Sequence, residues 1–166
     1  MRSFRRRIYK GPMDLLRDLR FLISSGSRVK AALHSGAVSF GFRERLMMVV
    51  TEVNGCRYCS WYHSTQSIRA GVSEEELRAL LAGQIPANAP LEEIPALAYA
   101  RHWAQTNGMP DRESELRLTE AYPDERAAMI KVILRMIRAG NLMGNTLDWF
   151  LNRLSLGRLG LTAKDE

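Results

Sequence analysis

Twelve residues from Phe42 to Val53 are apolar on most sides of any regular element they could form, since Leu46, Met47, Met48, Val49, Val50 and Val53 leave no broad polar face. Twelve residues is long for a strand, and Glu44, Arg45, Leu46 and the methionines favour helix, so the stretch predicts a helix buried at the centre of the molecule. Such a helix needs other elements packed around it. With 166 residues and 46% hydrophobic content, the chain has the size and the apolar surface for one compact domain.

Those other elements also read as helices. No run of β-branched residues alternates between turn signals, so the fold class is all-α. Pro12 and Asp14 open a helix toward Ser24, with Leu15, Leu16, Leu19, Leu22 and Ile23 at helical spacing. A short helix covers Ser27 to His34, and Gly36 and Gly41 bracket a turn. Asn54-Gly55 ends the apolar helix, and the next helix runs from about Cys56 to Ala70, stopped by Gly71. Ser73 with Glu76 three residues on predicts a capping box for a helix through Leu81. Further helices are expected over Leu91 to Thr106, Asp111 to Ala121, and Pro123 to about Leu154, the last open to interruption at Gly140 or Gly144. Met47, Met48, Met129, Met136 and Met143 read as core, and Trp61 and Tyr62 as packing against neighbouring helices.

Charge narrows the function classes. The formal net charge is +6, yet Arg2, Arg5, Arg6, Arg7 and Lys10 account for all but +1 of it. A basic stretch of this kind predicts a solvated end, residues 1–10, and gives little support to a groove that tracks phosphates, so no nucleic-acid partner is expected. Residues 11–156 are then a single helical domain with its core motif at 42–81, and 157–166 a fraying tail. No apolar run approaches bilayer length, and Gly11, Pro12 and Asp14 follow the basic stretch where a secretory signal would carry an apolar region. No membrane association and a cytoplasmic location are the expectations.

The chemistry concentrates between Glu44 and His63. The chain has two cysteines, Cys56 and Cys59, and in a reducing compartment a pair three residues apart points to redox or metal chemistry rather than a structural staple. Cys56, Cys59 and His63 fall on one helical face. Two helices joined by the tight Asn54-Gly55 turn should run antiparallel, with Glu44 roughly 14 Å back from the turn and His63 roughly 11 Å forward of it. The acid and the imidazole thus come out nearly level. A peroxide-reducing cysteine needs a thiolate near a base and a second thiol to resolve its sulfenic acid, and the stretch supplies each part. Glu52 sits too near the turn to serve His63.

This arrangement resembles the AhpD-like branch of the carboxymuconolactone decarboxylase superfamily, in which an Arg-Glu pair opens a helix, a glutamate stands twelve residues before the first cysteine, and Cys-x-x-Cys-x-x-x-His follows. Arg43, Glu44, Cys56, Cys59 and His63 match that pattern, and Gly71 to Leu77 is similar to the family's next helix start. The resemblance implies an AhpD-like helical bundle around a central antiparallel helix pair carrying the cysteines. It implies that Cys59 attacks peroxide, Cys56 resolves, and His63 with Glu44 relays protons. Cys56, at the helix end, is expected to be the more accessible sulfur and the place where the reductant reaches the disulfide. Tyr58 departs from the pattern, because the best-known members carry a histidine between the cysteines. Members without the cysteine pair perform decarboxylase or lactone chemistry, so retention of both thiols points to redox work.

The resulting expectation is a thiol-dependent peroxidase of the alkylhydroperoxidase type, acting on a small hydroperoxide without a bound cofactor or metal. By the resemblance its reductant is a lipoyl- or thioredoxin-type dithiol and its assembly a homo-oligomer, a trimer or hexamer. The competing expectations are a non-catalytic redox sensor or assembly protein whose disulfide controls packing, and a structural zinc site at Cys56, Cys59 and His63 that would need His34 or His102 to complete it.

Overall fold

The structure is a computed structural model and describes residues 4–165. Among these residues it is all-helical, with eight α-helices and no strand. They are α1 (Pro12–Ser24), α2 (Gly26–His34), α3 (Phe40–Asn54), α4 (Arg57–Arg69), α5 (Glu74–Leu81), α6 (Ile94–Gln105), α7 (Arg112–Ala121) and α8 (Asp124–Leu154). No described helix is long and apolar enough to cross a membrane.

The apolar run becomes α3, and it is buried on every side: Phe42, Leu46, Met48 and Val50 are each 0% exposed. Helices α4, α5, α6 and α8 pack around it. Ser39 caps its start by accepting from the Phe42 amide, and Gly55 ends it in the left-handed conformation at φ 72°. That reversal folds α4 back along α3. The capping box at Ser73 and Glu76 is formed in both directions.

Burying charge on α3 requires partners for it. Arg45, 8% exposed, donates to Glu76 at 2.9 Å and to Glu93 at 3.3 Å, tying α5 and the turn before α6 to the central helix. On the outside, α1 buries none of its residues.

Three expectations are corrected here. Helix α8 runs unbroken for 31 residues through Gly140 and Gly144. A glycine inside a helix costs about 1 kcal/mol relative to alanine, too little to break one held by tertiary packing. Trp61 and Tyr62, expected to be packed, are 75% and 52% exposed, and Met143 lies outside the core.

The third concerns the chain ends. Arg2 and Glu166 lie outside the described residues, but Arg6 and Asp165 are buried rather than solvated. Arg6 Nε donates to Asp165 at 2.9 Å, and the Asp165 carboxylate also accepts from the backbone amides of Arg5 and Thr162. A guanidinium with enough fixed acceptors can leave water, and Asp165, Asp148, Asn145 and the Gly160 carbonyl supply them.

Candidate functional site

Glu44 enters from the second turn of α3 and His63 from the middle of α4. The level placement expected from helical rise is present: His63 Nδ1 lies 2.7 Å from Glu44 Oε2. A carboxylate only accepts, so the proton of this bond belongs to Nδ1, which leaves Nε2 as the free basic nitrogen. Glu44 is 3% exposed, and Arg43 approaches its other oxygen at 3.7 Å. Burial and that second contact hold the carboxylate, and the carboxylate in turn fixes the imidazole.

Cys59 sits one helical turn before His63 and Cys56 two turns before it, and both are free. Cys56 occupies the N-cap of α4, where its sulfur accepts from the Cys59 amide at 3.3 Å. That position overturns the expected accessibility. Cys56 is 0% exposed, whereas Cys59 is only partly buried. An N-cap side chain folds under its own helix to reach the orphan amides, and here that turns the sulfur toward α8. A β-carbon at Gly144 would stand 2.8 Å from the Cys56 sulfur, so α8 passes close enough to close over it.

The thiols titrate together. Cys56 is drawn down to about 7, first because the Cys59 thiol donates to its sulfur; burial opposes this, and the amides of Cys59 and Tyr58 add to it. Cys59 is pushed well up, first by that same donated bond, then by burial and by the charge on Cys56, with a hydrogen bond from Asn141 working the other way. The first proton lost by the pair therefore comes off around neutrality, and the charge it leaves is favoured on the inner sulfur. Cys59 keeps its proton until a base removes it.

Helix α8 supplies neighbours that the motif does not announce. Asn141 is 0% exposed, donates to Thr51 at 3.1 Å, accepts from Asn54 at 3.1 Å, and reaches Cys59 as well. The signal for these residues is present in the sequence. Ile130, Leu134 and Ile137 form the buried stripe of α8, and Asn141, Asn145 and Asp148 continue it at the same spacing. Polar residues at core positions announce a buried polar site.

The Tyr58 ring lies against Gly144, and its hydroxyl donates to Asp148 at 2.7 Å. Glu52 is engaged by Lys164, away from His63. Among the described residues no group of three His, Cys, Asp or Glu side chains could hold a metal ion. His34 is tied to the Lys30 carbonyl, and His102 to Asp111.

Residues 27–106 match the family model described as "Carboxymuconolactone decarboxylase family". This stretch runs from α2 through α6 and contains Glu44, Cys56, Cys59 and His63, while α8 lies beyond it. No curated protein and no solved structure matches the chain.

Proposed function

We propose that this chain, whose residues 27–106 match the carboxymuconolactone decarboxylase family model, is a thiol peroxidase in which Cys59 is the sulfur that attacks a hydroperoxide. The observation that carries the reading is the part-buried Glu44–His63 hydrogen bond, one helical turn from a partly exposed thiol that needs a base.

In this reading the steps run as an acid–base exchange at sulfur. Nε2 of His63 takes the Cys59 proton, and the thiolate attacks the terminal peroxide oxygen. The O–O bond breaks, the alkoxide recovers the proton from His63 and leaves as an alcohol, and Cys59 becomes a sulfenic acid. Cys56, the thiol drawn down to about 7, attacks the Cys59 sulfur as its thiolate and expels hydroxide, which takes a proton from solvent to give water. Two electrons have passed from the thiols to the peroxide, and the product is a Cys56–Cys59 disulfide. A dithiol of the lipoyl or thioredoxin type, as the family resemblance implies, returns those electrons through Cys59, the sulfur it can reach.

A base that removes one proton contributes about 10²- to 10⁴-fold. His63→Ala should therefore lower hydroperoxide reduction with a dithiol donor into that range, and Glu44→Gln should fall between it and wild type. Equal rates for all three proteins would rule out the relay.

The same reading includes a homo-oligomer. Met143, Leu147, Phe150 and Leu154 form an exposed apolar stripe along α8, each at least half exposed, and such a stripe supports burial against another copy. Light scattering reads the mass directly, and a monomer would remove this part of the proposal.

A further inference from the structure

Asp148 is 0% exposed and lies on α8 one turn beyond Gly144. Its Oδ1 accepts from Arg57 at 2.7 Å and from the Tyr58 hydroxyl at 2.7 Å, and its Oδ2 accepts from Arg6 at 2.8 Å. Arg57 and Tyr58 are the two residues between the cysteines. One buried carboxylate on α8 thus grips the whole intervening dipeptide, and a buried arginine from the N-terminal segment backs it.

Gly144 lies on the same helical face, where an added β-carbon would meet the Cys56 sulfur at 2.8 Å and the Tyr58 ring at 3.3 Å. The first turn of α4 is therefore pressed onto α8 at Gly144, where α8 has no side chain. A fully buried carboxylate is tolerated only when donors satisfy it, and a network that depends on each of its members holds their positions closely. Asp148, Gly144 and Arg6 all lie outside the family segment.

We propose that Asp148 is a positioning residue for the thiol pair: by holding Arg57 and Tyr58 it seats the first turn of α4 on Gly144, shuts in the Cys56 sulfur, and leaves Cys59 as the sulfur that meets oxidant and reductant. The proposal rests on reading the cysteines as a redox pair, but not on which oxidant they meet. Access then sets the order of reactivity, and acidity does not. The more acidic thiol is the shielded one. Around Cys56 the charged and titratable groups are Cys59 and Tyr58 on α4 and Asp148 on α8, with Arg6 and Lys164 packed against the adjoining Gly55.

The test is time-resolved labelling of the reduced protein with iodoacetamide, with each cysteine followed separately by peptide mass spectrometry. Wild type should label Cys59 first. In Asp148→Asn, checked for helical content, Cys56 labelling should rise on the order of tenfold as the first turn of α4 opens locally. Its rate should then climb with pH through about 7, following the Cys56 thiol, a profile that general loosening would not produce. Asp148→Asn leaves Arg6 short of a buried partner, so Tyr58→Phe, which removes one donor from a partly exposed side chain, serves as the second variant and should show a smaller rise of the same kind. Unchanged Cys56 labelling in Tyr58→Phe, whether or not Asp148→Asn folds, overturns the proposal, as does a wild type that labels Cys56 first. Labelling needs no peroxide. A chain that keeps this order yet leaves hydroperoxide untouched would lose the peroxidase reading and retain the clamp.

Discussion

Cys59→Ser should abolish hydroperoxide reduction, bringing the rate with a dithiol donor to the level of buffer and donor alone, a fall on the order of 10³-fold or more, because residues that act as a unit fail together. Serine keeps the size of the side chain but cannot form the sulfenic acid, and Cys56 cannot take over. Its sulfur is the more acidic of the two, yet it is 0% exposed and covered by α8 at Gly144. Cys56→Ser should behave differently. With Cys59 still reachable and His63 still held by Glu44, one peroxide should be reduced before the enzyme stalls as the sulfenic acid, which a dimedone adduct at Cys59 would report. Retention of steady turnover in Cys59→Ser would move the attack to the inner thiol.

Arg45→Ala should destabilise the fold by about 3–5 kcal/mol, the usual consequence of removing one partner from a buried ion pair. Arg45 bridges Glu76 at 2.9 Å and Glu93 at 3.3 Å, and both carboxylates are 5% exposed. Burial already raises the Glu93 carboxyl, with Arg45 opposing it. For Glu76, burial is outweighed by its donors at Ser73 and Arg45, and its carboxyl is lowered. Without the guanidinium both groups would be stranded. At about 2–4 °C per kcal/mol for a chain of this size, the melting temperature followed by circular dichroism should drop by roughly 10 °C. The sign of the pH dependence follows from charge. Acidification protonates both carboxyls and relieves the unpaired charge, so the deficit of the variant should narrow as pH falls. A shift under about 1 kcal/mol, as for an exposed ion pair, would show that the triad holds nothing together.

The sequence makes the helical layout and the Glu44–His63 contact legible for the same reason. Both depend on local spacing: the run through Val53 has no polar face, Asn54-Gly55 supplies the reversal, and rise per residue brings the acid level with the imidazole. Burial of individual groups near the thiols is less legible, because it is decided by helices distant in sequence. Cys56 looks like an open helix end until α8 is laid across it. Gly144 looks like a possible break until the sulfur it makes room for is in view. Arg6 reads as part of a solvated basic stretch because its acceptors, Asp148 and Asp165, lie more than 140 residues away. Trp61 and Tyr62 carry the residue types of packed positions, yet the neighbouring helices leave them exposed. The polar continuation of the α8 stripe at Asn141, Asn145 and Asp148 is the one local sign that the far helix contributes to the site.

The most direct measurement is a single turnover of the fully reduced protein with one equivalent of an alkyl hydroperoxide and no reductant. The account predicts one equivalent of alcohol per chain and an intramolecular Cys56–Cys59 disulfide in the peptide map, both much slower to appear in His63→Ala. Free thiols with intact hydroperoxide after that mixing, in a protein shown to be folded, would contradict it.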